Sequence, residues 1–292
     1  MAIETSALAA LSEGIASTVE RVAPSVVAVE ARSRIGSSGF FIRPDLVLTA
    51  DHALESDEVE LVRADGKTER ASVAGRDPST DLALLRVEAA GVPLEFAGPE
   101  PLRVGAIALA VARDDDGDLA ASMGVISAVG GAWRTWQGGD VDAFVRPDLS
   151  LYPRFSGSPL VDAAGRAVGM NTGGLSRRQT LTVPAATIRR VVEALLARGG
   201  RIPRGYLGVA LQAVHGGVIV LGVEPESPAD RGGLIVGDVI TAIGGEPVED
   251  ANDVHARLGS GTVGTELAIE LRRGGTPQRV AVTVGERPER DD

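Results

Sequence analysis

Apolar residues enter the chain at three- and four-residue spacing, with Leu8, Leu11, Ile15, Val19 and Val22 on one side of an otherwise polar stretch. That period predicts an amphipathic helix. From Ser25 to about Thr182 the pattern becomes β. Short aliphatic runs stand at Val26–Val29, Phe40–Ile42, Leu46–Thr49, Val59–Val62, Leu82–Val87, Ile107–Val111, Leu160–Val161 and Val168–Met170, with turn signals such as "RPD", "ADGK" and "DAAGR" between them. Many short strands at this spacing predict a sandwich or barrel. Helical spacing returns with Ile188, Val191, Val192, Leu195 and Leu196, and Gly199 is placed as the stop. After the linker-like "ARGGRIPRG" comes a smaller α+β pattern, with strands near Val218–Val223, Val239–Ile243, Glu266–Leu271 and Val280–Val284. Its helices are expected in "SPADRGG" and over Glu249–Leu258. The expected organisation is a helical segment at 1–24, a β domain at 25–198, a linker at 199–204, an α+β domain at 205–286 and a tail at 287–292.

Composition narrows the function classes. A length of 292 residues suits two domains, and with 3% aromatics the cores must be aliphatic. A formal charge of −11 argues against nucleic acid or anionic lipid as a main partner. The absence of cysteine excludes disulfides, thiol catalysis and cysteine-bound zinc. The acidic run Asp114–Asp118 resembles a calcium loop, but the twelfth position is Val125 where such a loop needs Glu. It reads as a solvated turn, and no metal or cofactor is expected. No apolar run reaches the ~20 residues of a membrane span. The N-terminus lacks a basic start and is interrupted by Glu4, Glu13 and Glu20, so no export signal is read and a cytoplasmic location is expected, with a periplasmic or other extracytoplasmic one as the alternative if the sequence is trimmed. Both tryptophans, Trp133 and Trp136, fall in "GGAWRTWQGG", an excursion from the β pattern.

Three histidines make the search for a general base short. His215 and His255 lie in the second domain without a paired acid nearby in sequence and read as surface residues. His52 ends the β-run "LVLTADH", and Asp81 precedes the apolar strand of "RDPSTDLALLRV". Downstream, "RFSGSPLV" carries Ser156 and Ser158 one residue apart. His, Asp, Ser is the chain order of the chymotrypsin-type triad. There the Asp orients the imidazole, and the His takes the serine proton and returns it to the leaving amine. Order alone leaves two candidate serines.

These segments resemble the trypsin-like protease domain of the HtrA (Deg) family. "GSSGFFIRPDLVLTADHAL" is similar to that family's "GSGFxI…xxLTNAHV", "DPSTDLALLRV" to "D…TDLALLKV", and "RFSGSPLVDAAGRAVGMNT" to "GNSGGPLVNxxGxxIGINT". "GYLGVAL", with "VEPESPADRGGLIVGDVITAIGGEPV" after it, resembles the PDZ domain that follows the protease in these proteins. The resemblance spans residues 22 to 286. It implies a mainly β fold, a chymotrypsin-like double six-stranded β-barrel followed by a small α+β PDZ domain. The implied activity is that of an ATP-independent serine endopeptidase acting on unfolded or damaged proteins. The alternative is a weak or inactive protease fold kept as a PDZ-based scaffold.

Aligned on the family, Ser156 takes the nucleophile's place and Ser158 that of a following glycine. The resemblance assigns the oxyanion hole to the backbone N–H groups of Arg154 and Ser156. Arg154 stands where the family has a glycine whose backbone angles cost an arginine about 1–2 kcal/mol. Phe155 replaces a polar residue, so packing is expected to fix the loop. Asp51, beside His52, replaces a small residue and is expected to point outward, since neighbouring β residues alternate. Ser150 and Leu151 are implied to line the pocket for the residue preceding the scissile bond, which favours small to medium aliphatic side chains. Thr172, Gly173 and Gly174 are implied to pair with substrate backbone. In the second domain Tyr206, Leu207, Gly208 and Val209 form the loop that would bind a peptide C-terminal carboxylate, the peptide adding as a strand beside the 249–258 helix. Family members are commonly homotrimers held by aromatic contacts near the N-terminus, a region that is free of aromatics here.

Overall fold

A computed structural model of the chain describes residues 2–31, 36–56, 58–176, 179–203, 205–259 and 261–286. The expected tail, 287–292, and Arg204 of the expected linker lie outside these residues. Two compact units divide after Arg201.

The first unit begins with helix α1 (Ala2–Val22), after which the chain turns into the first sheet. Strands β1 (Val26–Glu30), β2 (Ser37–Arg43), β3 (Leu46–Ala50), β4 (Glu58–Val62), β5 (Thr68–Asp77) and β6 (Leu82–Arg86) close into a barrel in the order β1-β2-β3-β6-β5-β4. Its interior is the aliphatic set the composition demanded: Val27, Val29, Val47, Leu61, Ala83 and Leu85 around Phe41. Burying such side chains contributes roughly 1.5–3 kcal/mol each.

The second half of this unit holds β7 (Ile107–Arg113), β8 (Leu119–Gly130), a hairpin of β9 (Trp133–Arg134) and β10 (Asp140–Val141), and then β11 (Phe144–Asp148), β12 (Pro159–Val161), β13 (Ala167–Thr172) and β14 (Leu181–Pro184). Six of these form a sheet in the order β11-β8-β7-β12-β13-β14, around Ala110, Ile126, Val145, Phe155 and Leu160. Helix α2 (Ala185–Ala197) closes the unit and buries Ile188, Val191, Val192 and Leu195. Gly199 and Gly200 end it with positive φ, as the sequence pattern required.

The second unit contains β15 (Gly205–Tyr206), β16 (Val209–Val214), β17 (Gly217–Val223), α3 (Pro228–Arg231), β18 (Val239–Ile243), β19 (Glu246–Pro247), α4 (Ala251–Arg257), β20 (Glu266–Arg273), β21 (Thr276–Thr283) and β22 (Gly285–Glu286). Its main sheet runs β16-β17-β18-β20-β21, which leaves β16 as an edge strand. Helix α4 starts on a capping box, in which Asp250 accepts from the Asn252 and Asp253 N–H groups. Among the described residues no helix is long and apolar enough to cross a membrane.

Candidate active site

β3 delivers His52 onto a single 3-10 turn at Asp51–Ala53. The turn Asp77–Asp81 delivers Asp81 to the start of β6. The Ser79 and Thr80 hydroxyls fold that turn by donating to the Asp77 carboxylate at 2.6 and 2.7 Å. Asp81 is left-handed, with φ of 60°. Its carboxylate accepts the His52 backbone N–H at 2.9 Å and lies 2.8 and 3.0 Å from Nδ1 of the same ring. On the other side of the ring, Nε2 is 3.2 Å from the Ser156 hydroxyl. The three residues expected from the sequence are thus brought into one hydrogen-bonded row across 104 residues of chain.

The surroundings explain how the row is held. The Thr172 hydroxyl at the end of β13 donates a short hydrogen bond to Asp81 Oδ2, and the Gly174 N–H donates to Thr172 at 2.8 Å. A Cβ on Gly174 would come within 2.6 Å of the Asp81 carboxylate and 2.7 Å of His52 Nδ1, so this position requires glycine. Gly157 is equally constrained: φ is +82°, and a Cβ would lie 2.0 Å from the Ser38 carbonyl. The two serines separate cleanly. Ser156 faces His52, whereas Ser158 is fully buried, donates to the Phe155 carbonyl at 2.7 Å and accepts from Asn171 at 3.2 Å.

Asp51 departs from expectation. It is buried rather than outward-facing, because its carboxylate pairs with Arg76 Nε at 2.6 Å. Burial raises its pKa; Arg76 opposes that rise, while the Asp81 and Asp77 charges add to it. The residue next to His52 therefore directs its charge towards Arg76.

The turn before Ser156 is a 3-10 turn at Pro153–Phe155, in which the Phe155 N–H donates to the Tyr152 carbonyl at 2.9 Å. Phe155 is buried in the second core, so packing does fix this loop. Arg154 keeps a negative φ: among described non-glycine residues only Asp81 and Glu226 are left-handed. The glycine-like conformation of the aligned family position is not adopted here. Of the expected pocket residues, Ser150 is exposed and Leu151 packs partly against the second core. Gly173 is exposed, with its N–H 3.4 Å from the Ser156 hydroxyl, and Thr172 is buried with its backbone paired to Leu181.

Sequence reasoning missed the braces. It gives Thr172 a role only through its backbone, yet the hydroxyl of that residue holds Asp81. The tryptophan excursion is a hairpin whose Thr135 hydroxyl donates to the Ser79 carbonyl at 2.7 Å, steadying the Asp81 turn. Among the described residues no group of acidic or histidine side chains could hold a metal ion.

The second unit has its own groove, a cavity of about 470 Å³ between β16 and α4. Tyr206, Leu207, Gly208, Val209, Leu211, Val254 and Leu258 line it. Gly208 has φ of +79° and turns the chain into the edge strand. His255, read from sequence as a surface residue, lines this groove, and the Tyr206 hydroxyl donates to Glu224 beside it.

Residues 37–170 match the trypsin-like peptidase domain family, and residues 205–284 match the PDZ domain family. HhoB of Synechocystis sp., a serine protease by name, is 32% identical over 89% of this chain and 68% of its own length. The chain belongs to the HtrA family of serine proteases. A DegP-like periplasmic serine endoprotease of Pseudomonas fluorescens is 30% identical over 87% of this chain, and the chain spans 57% of that relative's length. Among solved structures, the serine endoprotease of Yersinia pestis matches with a TM-score of 0.74 at 28% identity, covering 93% of this chain and 97% of that one. The HtrA-type protease AlgW with a decapeptide matches with a TM-score of 0.74 at 26% identity, covering 94% and 99%. The fold is the one the resemblance implied: mainly β, a trypsin-like HtrA protease domain followed by one PDZ domain. The DegP-like relatives are named periplasmic, so the expectation of a cytoplasmic chain finds no support among them.

Proposed function

We propose that this chain is a serine endopeptidase that cleaves unfolded or damaged polypeptides outside the cytoplasm. The observation that carries the reading is the continuous row Asp81–His52–Ser156, with 2.8 Å and 3.2 Å links. In the proposed reaction His52 Nε2 takes the Ser156 proton as Oγ bonds to the substrate carbonyl carbon. Asp81 stabilises the imidazolium through Nδ1. The tetrahedral intermediate collapses as His52 gives that proton to the leaving amine. Water then repeats the sequence and releases the acyl group from Ser156. The backbone N–H groups of Arg154 and Ser156 are the proposed donors to the oxyanion. Ser150 and Leu151 would favour uncharged residues before the scissile bond, and Gly173 and Gly174 would pair with substrate backbone.

The PDZ groove is the proposed recruiting site for peptide C-termini. A peptide adding to the edge strand β16 would set its carboxylate on the N–H groups of the Tyr206–Val209 loop. PDZ-based scaffolding with little hydrolysis is the second reading. It is favoured by the 3-10 turn at Pro153–Phe155, in which Arg154 keeps a negative φ instead of the glycine-like conformation of the aligned family position.

Turnover of an unfolded protein separates the two. Wild type is expected to cleave it and to be labelled by a serine-directed fluorophosphonate; Ser156→Ala is expected to lose at least about 1,000-fold in kcat and all labelling. Wild type that neither cleaves nor labels, with and without C-terminal peptides, would establish the scaffold reading.

A further inference from the structure

The acidic turn Asp114–Asp118 and the arginine standing at the aligned glycine position meet. Arg154 Nη1 is 3.0 Å from Asp114 Oδ2. The other carboxylate oxygen of Asp114 caps its own turn, accepting the Asp118 N–H at 2.7 Å. Behind this pair lies Ser38, fully buried on β2. Its hydroxyl donates to the Arg154 carbonyl at 2.9 Å and accepts the Arg113 N–H at 3.1 Å, and its N–H donates to the Ser156 carbonyl at 2.9 Å. Arg113 is anchored in turn: its buried guanidinium donates to the carbonyls of Val26, Ala23 and Gly117. The arginine at the oxyanion position is therefore gripped at both its side chain and its carbonyl.

Turn geometry says what such a grip achieves. Residues 152–155 form a turn in which Arg154 is the third residue, with negative φ. A type I turn has about (−90°, 0°) at that position and a type II turn about (+80°, 0°), so the two share ψ and differ in φ. Conversion rotates the Pro153–Arg154 peptide and reverses the direction of the Arg154 N–H. It leaves the Cβ and carbonyl of Arg154 nearly in place. Both contacts of Arg154 lie on the part that stays still.

We infer that Asp114 is a positioning residue for the oxyanion donor: with Ser38 it clamps the fixed half of Arg154, so that only the Pro153–Arg154 peptide rotates to aim the N–H at the substrate oxygen. The inference rests on the protease reading above. It gives the acidic turn a task in catalysis without contact with the substrate.

Asp114→Asn tests it in the full chain, since Asn can still cap the Asp118 N–H while losing the ion pair. The expected result is a kcat lower by about three- to tenfold with KM unchanged within about twofold, because donor placement acts on the transition state. The melting temperature should hold, Asp114→Glu should recover part of the loss, and added salt should narrow the gap to wild type. In an Arg154→Leu background, Asp114→Asn should cost nothing more. An unchanged or raised kcat in Asp114→Asn, or an equal loss in the Arg154→Leu background, would overturn the inference while leaving the protease reading intact. Absence of any Ser156-dependent turnover in wild type would remove both.

Discussion

The turn that presents Asp81 and the turn that precedes Ser156 are both short and both sit at the site, yet the chain treats them differently. At Asp81 a left-handed residue is tolerated, a conformation that costs a non-glycine residue about 1–2 kcal/mol. It is offset by the Ser79 and Thr80 hydroxyls inside the turn, by Thr135 outside it, and by Thr172 and the His52 N–H on the carboxylate. At Arg154 the same conformation would be needed for a type II turn and is not adopted. Among the described residues two contacts grip that residue, the Ser38 hydroxyl on its carbonyl and Asp114 on its side chain, and neither acts on the peptide that must rotate. The acid–base pair is thus set in advance, while the donor is left adjustable. Rigidity follows the number of braces rather than distance from the nucleophile.

The comparison breaks most sharply at Arg154. Arg154→Gly removes the left-handed penalty, which at about 1–2 kcal/mol corresponds to roughly a five- to thirtyfold rise in the population with the donor aimed inward. Because this substitution also removes the ion pair to Asp114, the comparison is made in an Asp114→Asn background, where adding Arg154→Gly is expected to raise kcat and the fluorophosphonate labelling rate by that factor. Rates equal to those of Asp114→Asn alone would mean the donor is already formed with arginine, and the contrast between the turns would disappear.

On the braced side, Thr172→Val keeps the shape of the side chain but removes the hydroxyl from Asp81 Oδ2 and the acceptor from the Gly174 N–H. A hydrogen bond to a charged group contributes about 1.5–3 kcal/mol. A kcat about tenfold lower, together with a lower unfolding midpoint, is expected. Loss of stability alone would show that Thr172 supports the fold and not the orientation of His52.

How much of this was legible follows the same physics. The aliphatic runs announced β1, β3 and β6 because those strands are buried on both faces. β5 ("TERASVAGRD") and β8 ("LAASMGVISAVG") give no clear signal. The exposed positions of β5 are the polar Thr68, Arg70 and Ser72. In β8 the exposed positions include the apolar Leu119, Met123 and Val125, and the half-buried ones between them are the small Ala120, Ser122 and Gly124, the reverse of the usual alternation. β16 was missed for a related reason: as an edge strand it is mostly exposed. At the site, His52, Asp81 and Ser156 could be named from residue type and chain order. Their supports could not. Thr172, Thr135, Ser38 and Asp114 act through hydroxyls or a carboxylate that look like turn or surface residues until folding brings distant segments together. The groove beside His255 could not be read either, because only the packing of α4 against β16 forms it.

The smallest effect belongs to the second carboxylate beside His52. Asp51 and Asp81 flank the same histidine in the fold, but Asp81 faces the ring and Asp51 faces Arg76. Burial lifts the Asp51 carboxyl above its ordinary value of 3.8, so the folded chain holds this proton more tightly than the unfolded chain does. The stability from that difference is complete below 3.8 and is lost as pH rises through the higher folded-state value. Asp51→Asn removes the titration while keeping an acceptor for Arg76. Urea unfolding should therefore show wild type gaining least over the mutant near neutral pH and most in acid. With the Asp51 charge directed away from the ring, kcat at neutral pH should stay within about twofold of wild type. A stability gap that widens in favour of wild type as pH rises would show the Arg76 pair outweighing burial. A large fall in kcat would place Asp51 with Asp81 among the groups that set His52, and only one of the two carboxylates would then have been recognised.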